Sequence, residues 1–401
     1  MSYNFDEIIE RRGTNSMKWT GGSRFLSAAQ RAADPLPMWV ADMDFRAAPP
    51  ILEALQRELD LGVFGYGGTP ESYVEAVIGW QERHFNWQPE PEWLVRTPGV
   101  ISAFNMAIQA FSLPGDHVLV QPPVYYHFLN DVVINGRRLA EAPLIEENGR
   151  YRFDPAAFEA AIRPDTRLFI LCNPHNPTGN VWTREELVSM ATICQRHGIL
   201  VVSDEVHQDL VFDKEKGRHV SLGALGEEIA GNAIICTAPS KTFNLAGLQC
   251  ANVFIPNALL RRIFQAQCER CGLFLNGLMG TAACEAAYRH GEPWMNAMLE
   301  YVHGNYRYFV EQLRERDLPL TVTPTRALYL AWIDFRQLGL PAGRLNDLLL
   351  RRSRLWLDDG RKFGRQGHGF MRINLACPRQ YVVEAVERLS ATLPELASSK
   401  D

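Results

Sequence analysis

Four short polar segments in this chain place chemically useful residues at the ends of apolar runs. The run 168–172 is followed by Asn173-Pro174-His175-Asn176-Pro177-Thr178-Gly179, whose two X-Pro pairs and glycine constrain a turn and aim its amides. The run 199–203 leads into Asp204-Glu205-Val206-His207, and 233–237 leads into Ala238-Pro239-Ser240-Lys241-Thr242. The fourth segment, Thr97-Pro98-Gly99-Val100-Ile101-Ser102, follows 93–96 and opens a helical pattern over 102–111. A lysine amine can form a Schiff base with an aldehyde, a carboxylate can keep a ring nitrogen protonated so that the ring draws electrons, and a helix N-terminus can hold a phosphate. Together these are the requirements of pyridoxal 5′-phosphate. An isolated lysine is ordinarily a solvated surface residue, and an aspartate after a strand is ordinarily a cap. Joint occurrence at successive strand ends carries the reading.

The elements that must position these segments are visible in the pattern. Apolar runs at 117–121, 167–172, 199–203, 233–237 and 252–255 alternate with amphipathic stretches such as 183–197, which Thr183 caps and Glu185 and Glu186 open. Such alternation predicts βαβ units and a mostly parallel sheet, with strands buried on both faces and ligands beyond their carboxyl ends. After Pro293 a helical stretch (294–316), an alternating run (328–334), a helix (344–353), a strand (370–375) and a last helix (378–393) predict a smaller α/β domain. The first 45 residues have few periodic signals and are expected to extend over another surface. The expected fold class is therefore α/β, with a large domain over 46–287 and a small domain built from 1–45 together with 288–401.

Composition excludes several classes. The 401 residues carry 41 Lys+Arg against 46 Asp+Glu, a net charge of −5, with no basic stripe suited to nucleic acid. With 46% hydrophobic and 22% charged residues, the chain can bury a large core and is not disordered. The polar start Met1-Ser2-Tyr3-Asn4-Phe5-Asp6-Glu7 lacks a signal-peptide pattern, and no run approaches the ~18 apolar residues of a membrane span. A cytoplasmic protein with no membrane partner is expected. The eight cysteines are scattered among apolar flanks, as reduced core cysteines are. Cys268 and Cys271 form a CxxC without further ligands nearby, so a buried helical pair is expected and no metal site.

The segments 173–179 (NPHNPTG), 204–207 (DEVH), 240–247 (SKTFNLAG) and 372–379 (RINLACPR) resemble the fold-type I pyridoxal-phosphate family. More narrowly, 12–19 (RGTNSMKW), 37–45 (PMWVADMDF), 98–100 (PGV) and 121–126 (QPPVYY) resemble the MalY/PatB-type cystathionine β-lyases, over nearly the whole chain. The resemblance implies that Lys241 holds the cofactor and moves the Cα proton, that Asp204 pairs with the ring nitrogen and that Asn176 bonds the phenolic oxygen, with His207 near the same side. It implies Tyr125 on the ring face, the amides of Val100 and Ile101 on the phosphate, and Arg372 on the substrate carboxylate. Tyr66, in Phe64-Gly65-Tyr66-Gly67, matches a tyrosine that reaches the neighbouring subunit's phosphate, which implies a homodimer with shared sites. Two positions depart from the wider family. Ala238 and Gln249 stand where a serine and an arginine often hold the phosphate, so Ser240 is expected to take part, with Thr237 the other nearby hydroxyl.

The implied reaction is α,β-elimination on L-cystathionine or a related cysteine S-conjugate, giving a thiol, pyruvate and ammonia. An aminotransferase on the same scaffold is the rival, weakened by the missing arginine. A cofactor-binding regulator without turnover would carry an N-terminal DNA-binding module, and no helix-turn-helix pattern precedes the large domain. A nucleotide-driven reading of 204–207 lacks the GxxxxGK[ST] loop it needs.

Overall fold

Strands covered on both faces must send alternate side chains into two separate cores, and the central sheet does so. The computed structural model describes residues 3–147, 149–212 and 217–398. Seven strands, β1 (Leu94–Thr97), β2 (His117–Val120), β3 (Arg138–Glu141), β4 (Thr166–Cys172), β5 (Leu200–Asp204), β6 (Ala233–Thr237) and β7 (Ala251–Phe254), form one sheet in the order β1-β7-β6-β5-β4-β2-β3. Only β7 runs against its neighbours, antiparallel to β1 and β6. Along β4, Phe169 and Leu171 join one core while Leu168, Ile170 and Cys172 join the other. The same period of two splits Ala233 and Ile235 from Ile234 and Cys236 on β6.

The expected strands match within one residue at each end. The edge strand β3, Arg-Leu-Ala-Glu, escapes the pattern because only Ala140 of its four residues is buried. Helix α1 (Val100–Phe111) begins two residues earlier than its periodicity predicts, with Gly99 as its N-cap. Asp204 is the last residue of β5 rather than the first of the following loop.

A second sheet of four antiparallel strands contains Leu330–Asp334 paired with Phe370–Asn374. Its core gathers Ile333, Ile373, Val382 and Leu389 with Leu36 and Met38 of the N-terminal segment. The long helix Glu292–Glu315 enters both cores, through Met295 and Val302 on one side and Phe309 and Leu313 on the other. The N-terminal segment is held as well as draped. Leu36–Pro37 pairs in parallel with Leu355–Trp356, and the buried Lys18 donates to Asp44 at 2.5 Å.

Of the CxxC pair only Cys268 is buried, and Cys271 is exposed at the C-cap of the helix Ala258–Arg270, which corrects the expectation of a buried pair. Its place one turn on, where the helix ends, leaves it outside the core face. The other seven cysteines are buried and free. Among the described residues no helix is long and apolar enough to cross a membrane.

Candidate active site

A cavity of about 170 Å3 opens at the carboxyl ends of the parallel strands, lined by Val100, Ile101, Tyr125, Asn176, Asp204, His207, Ser240 and Lys241. These eight sequence-expected residues come from five separate segments. Arg372 joins them from the smaller sheet, its Nη1 donating to Asn176 Oδ1 at 2.9 Å. Tyr66 does not reach this cavity within the chain and is 91% exposed. Tyr125 lines it and its neighbour Tyr126 does not.

Lys241 follows β6 in a turn in which Phe243 N bonds Pro239 O. Its Nζ donates to the Ala41 carbonyl at 2.9 Å, and the Tyr329 hydroxyl donates to the same oxygen at 3.1 Å. Asn374 fixes that stretch of the N-terminal segment by donating to the carbonyls of Val40 and Asp42. Burial pulls the amine down to about 8; Arg372 pushes in the same direction, while Asp42 and Asp204 oppose it.

Asp204 is buried, and its hydrogen bond among the described residues comes from Val206 N at 3.1 Å. Burial raises this carboxyl to about 7, opposed by that amide and by the nearby Lys241. Among the described residues no basic side chain is bonded to it. A buried acid in this state fits a protonated ring nitrogen, which would hold it ionised. His207 is also buried, its Nδ1 has no hydrogen-bond partner among the described residues, and burial drives its pKa well below the ordinary imidazole value. It is a neutral ring facing the same cavity.

At the other end of the cavity, Gly99 offers no capping side chain, so the first-turn amides of α1 are left for an anion. Thr237 is not available there: its hydroxyl donates to Asn252 O at 3.3 Å, leaving Ser240 as the nearby hydroxyl on the cavity wall. The Asn176 amide is oriented by Arg372, because a guanidinium only donates and must meet Oδ1. Its nitrogen remains the donor for a ligand oxygen. The donor set, the unpaired acid and the open helix end together fit pyridoxal 5′-phosphate.

Sequence reasoning missed Ala41, Tyr329, Asp358 and Cys250. Ala41 lies within the segment 37–45 but acts through its carbonyl, which no side-chain pattern reports. Asp358, whose Oδ2 accepts from Arg372 Nη2 at 2.6 Å, has no local signal. Cys250 reads as one more core cysteine, yet it lines the cavity.

The family model described as aminotransferase class I and II matches residues 40–389. The chain is 41% identical over 392 residues to the cystathionine beta-lyase PatB of Bacillus subtilis (strain 168), covering 97% of this chain and 100% of that protein. It is 30% identical over 390 residues to protein MalY of Escherichia coli (strain K12), with 96% and 98% covered. The crystal structure of cystalysin from Treponema denticola, which contains pyridoxal 5′-phosphate, superposes with a TM-score of 0.93 at 31% identity, covering 99% of this chain and 100% of that one. The fold, the cavity and these full-length likenesses agree: the chain belongs to the class I and II aminotransferase family, in its group of MalY- and PatB-type carbon–sulfur lyases.

Proposed function

We propose that this enzyme, with pyridoxal 5′-phosphate as its cofactor, cleaves L-cystathionine or a related cysteine S-conjugate to a thiol, pyruvate and ammonia. Lysine, aspartate and asparagine serve aminotransferases equally, so no single side chain decides the reaction. What favours elimination is the full-length identity to PatB, a cystathionine beta-lyase.

An electron sink beside the substrate's Cα is what the cofactor supplies when bound. The chain's own residues do the rest. Lys241 would anchor the cofactor through Nζ, and the same Nζ would take the Cα proton; its lowered pKa suits a base working near neutrality. Asp204 would accept from the ring nitrogen, Tyr125 would lie against the ring, and Asn176 would donate to the phenolic oxygen, with the neutral His207 on the same cavity wall. The amides of Val100 and Ile101 and the Ser240 hydroxyl would take the phosphate. Arg372, fixed by Asn176 and Asp358, grips the α-carboxylate and so sets which bond at Cα faces Lys241. A thiolate leaves readily, so alignment of the C–S bond is the remaining demand.

The domain division read from the sequence, 46–287 against 1–45 with 288–401, puts this cavity at the junction, with Asp204 and Lys241 from the first part and Ala41 and Arg372 from the second. A homodimer with shared sites is proposed on the exposed segment holding Leu61, Val63, Phe64 and Tyr66, an apolar surface that calls for a cover.

The experiment is to give cofactor-loaded protein L-cystathionine without any keto acid and follow thiol and pyruvate over many turnovers. Sustained, equal release establishes the lyase. A single-turnover loss of the cofactor's visible band, restored only by an added keto acid, makes it an aminotransferase.

A further inference from the structure

Cys250 stands immediately before β7 and is 6% exposed, on the wall of the same cavity as Ser240, Lys241 and the start of α1. Its Sγ lies 3.6 Å from Arg96 Nη2 and 3.2 Å from the Tyr73 hydroxyl. Arg96 is itself held in place, with Nη2 on Thr281 Oγ1 at 2.8 Å and its guanidinium 4.1 Å above the Tyr73 ring. A second thiol belongs to the cluster. Cys284 receives a hydrogen bond from Asn252 Nδ2 at 3.7 Å, and Asn252 Oδ1 accepts from Tyr73 at 2.7 Å. Cys284 lies on the helix Leu278–His290, one turn beyond Gly280, where an added Cβ would come within 3.2 Å of the Cys250 Cβ.

The two thiols differ in state. The Cys284 thiol and the Arg96 guanidinium hold Cys250 below the ordinary thiol range despite burial, whereas burial and Cys250 push Cys284 well above it. Cys250 is the more acidic of the two, beside a cation, and Cys284 is the one that keeps its proton.

We propose that Cys250 and Cys284 form a redox site in the wall of the cofactor cavity that reacts with hydrogen peroxide only while the cavity is empty. The Cys250 thiolate attacks one peroxide oxygen; the O–O bond breaks, hydroxide leaves and takes a proton as water, and a sulfenic acid remains. Cys284 then loses its proton and attacks the Cys250 sulfur. The S–O bond breaks, a second water leaves, and an S–S bond joins the pair. The two sulfurs give up two electrons in all, and the peroxide takes both. The gate rests on the cofactor reading above: a ligand seated among Ser240, Lys241 and the α1 amides covers the cavity that Cys250 lines.

The test treats cofactor-free and cofactor-loaded protein with hydrogen peroxide and maps disulfides by mass spectrometry of unreduced peptides. Cofactor binding is read separately from its visible band. The cofactor-free protein is expected to form a Cys250–Cys284 disulfide that dithiothreitol reverses. With cofactor at about one hundred times its Kd, the rate should fall by about the same factor, since only the empty fraction reacts. Cys284→Ser should stop at a dimedone-trapped sulfenic acid on Cys250, and Cys250→Ser should leave Cys284 unmodified. Peroxide consumption elsewhere with both thiols intact overturns the redox site. A visible band with undiminished disulfide formation overturns the gate while leaving the cofactor reading standing, and absence of the band overturns both the gate and that reading.

Discussion

Arg372 and Asn176, 196 residues apart in the chain, meet with Nη1 2.9 Å from Oδ1, while the same guanidinium donates through Nη2 to Asp358 at 2.6 Å. The residue proposed to grip the substrate thereby also orients the amide proposed to hold the cofactor. Arg372 is 2% exposed, and its charge depends on Asp358 for compensation. Arg372→Lys keeps the charge and loses the fork. KM for the amino acid should rise roughly ten- to a hundredfold, the cost of about 1.5–3 kcal/mol in charge-assisted hydrogen bonds, with the cofactor's visible band retained. An unchanged KM in steady-state assays would remove Arg372 from substrate binding.

Lys241 should capture the cofactor as a free amine. With its pKa lowered to about 8, the observed rate of visible band formation in cofactor-free protein should climb up to about pH 8 and then level off. An unperturbed lysine would keep climbing toward pH ~10.4. Stopped-flow absorbance across that range checks this, and Lys241→Ala should give no borohydride-sensitive band at any pH.

Asp204 makes the cofactor-free protein lose stability as pH rises from about 4 to 7. Its folded pKa of about 7 lies above the ordinary carboxylate value of 3.8, so between these limits the folded chain holds a proton that the unfolded chain has released. The stability it contributes is complete below about pH 4 and is lost as pH rises through 7, a loss on the order of 4 kcal/mol. Denaturant midpoints of the cofactor-free protein against those of Asp204→Asn should diverge in that window, with the asparagine variant the flatter. Parallel curves would mean that Asp204 ionises normally.

Tyr66 tests the shared site. It is almost fully exposed in the single chain and lines no part of its own cavity. Mixed Tyr66→Phe and Lys241→Ala subunits should form hybrids in which one site receives both lesions and the other neither, so activity lost in each parent returns on mixing. If subunit exchange is demonstrated by native mass spectrometry and no activity returns, each site is complete within one chain.

Much of the central sheet and most of the cavity were legible in residue order. Parallel strands are buried on both faces, so β4, β5 and β6 announce themselves as apolar runs, and the polar residues at their carboxyl ends fall where the chain must stop being buried. Asn176, Asp204, Ser240 and Lys241 stand at those ends, and the segment 97–102 announces the helix, although its start at Val100, behind the Gly99 cap, comes two residues before the periodicity. The edge strand β3 was not legible, because one covered face leaves no continuous run.

What tertiary structure alone decided are the contacts that depend on distant segments closing on one point. The Ala41 carbonyl receives Lys241 and Tyr329 only because Asn374 holds the N-terminal segment against the smaller sheet, and a backbone oxygen has no residue type to betray it. Asp358 and Cys250 look ordinary in sequence. One becomes the counter-ion of a buried guanidinium and the other a thiol made more acidic beside Arg96, because acidity is set by burial and by charges brought near in space, neither of which local order encodes.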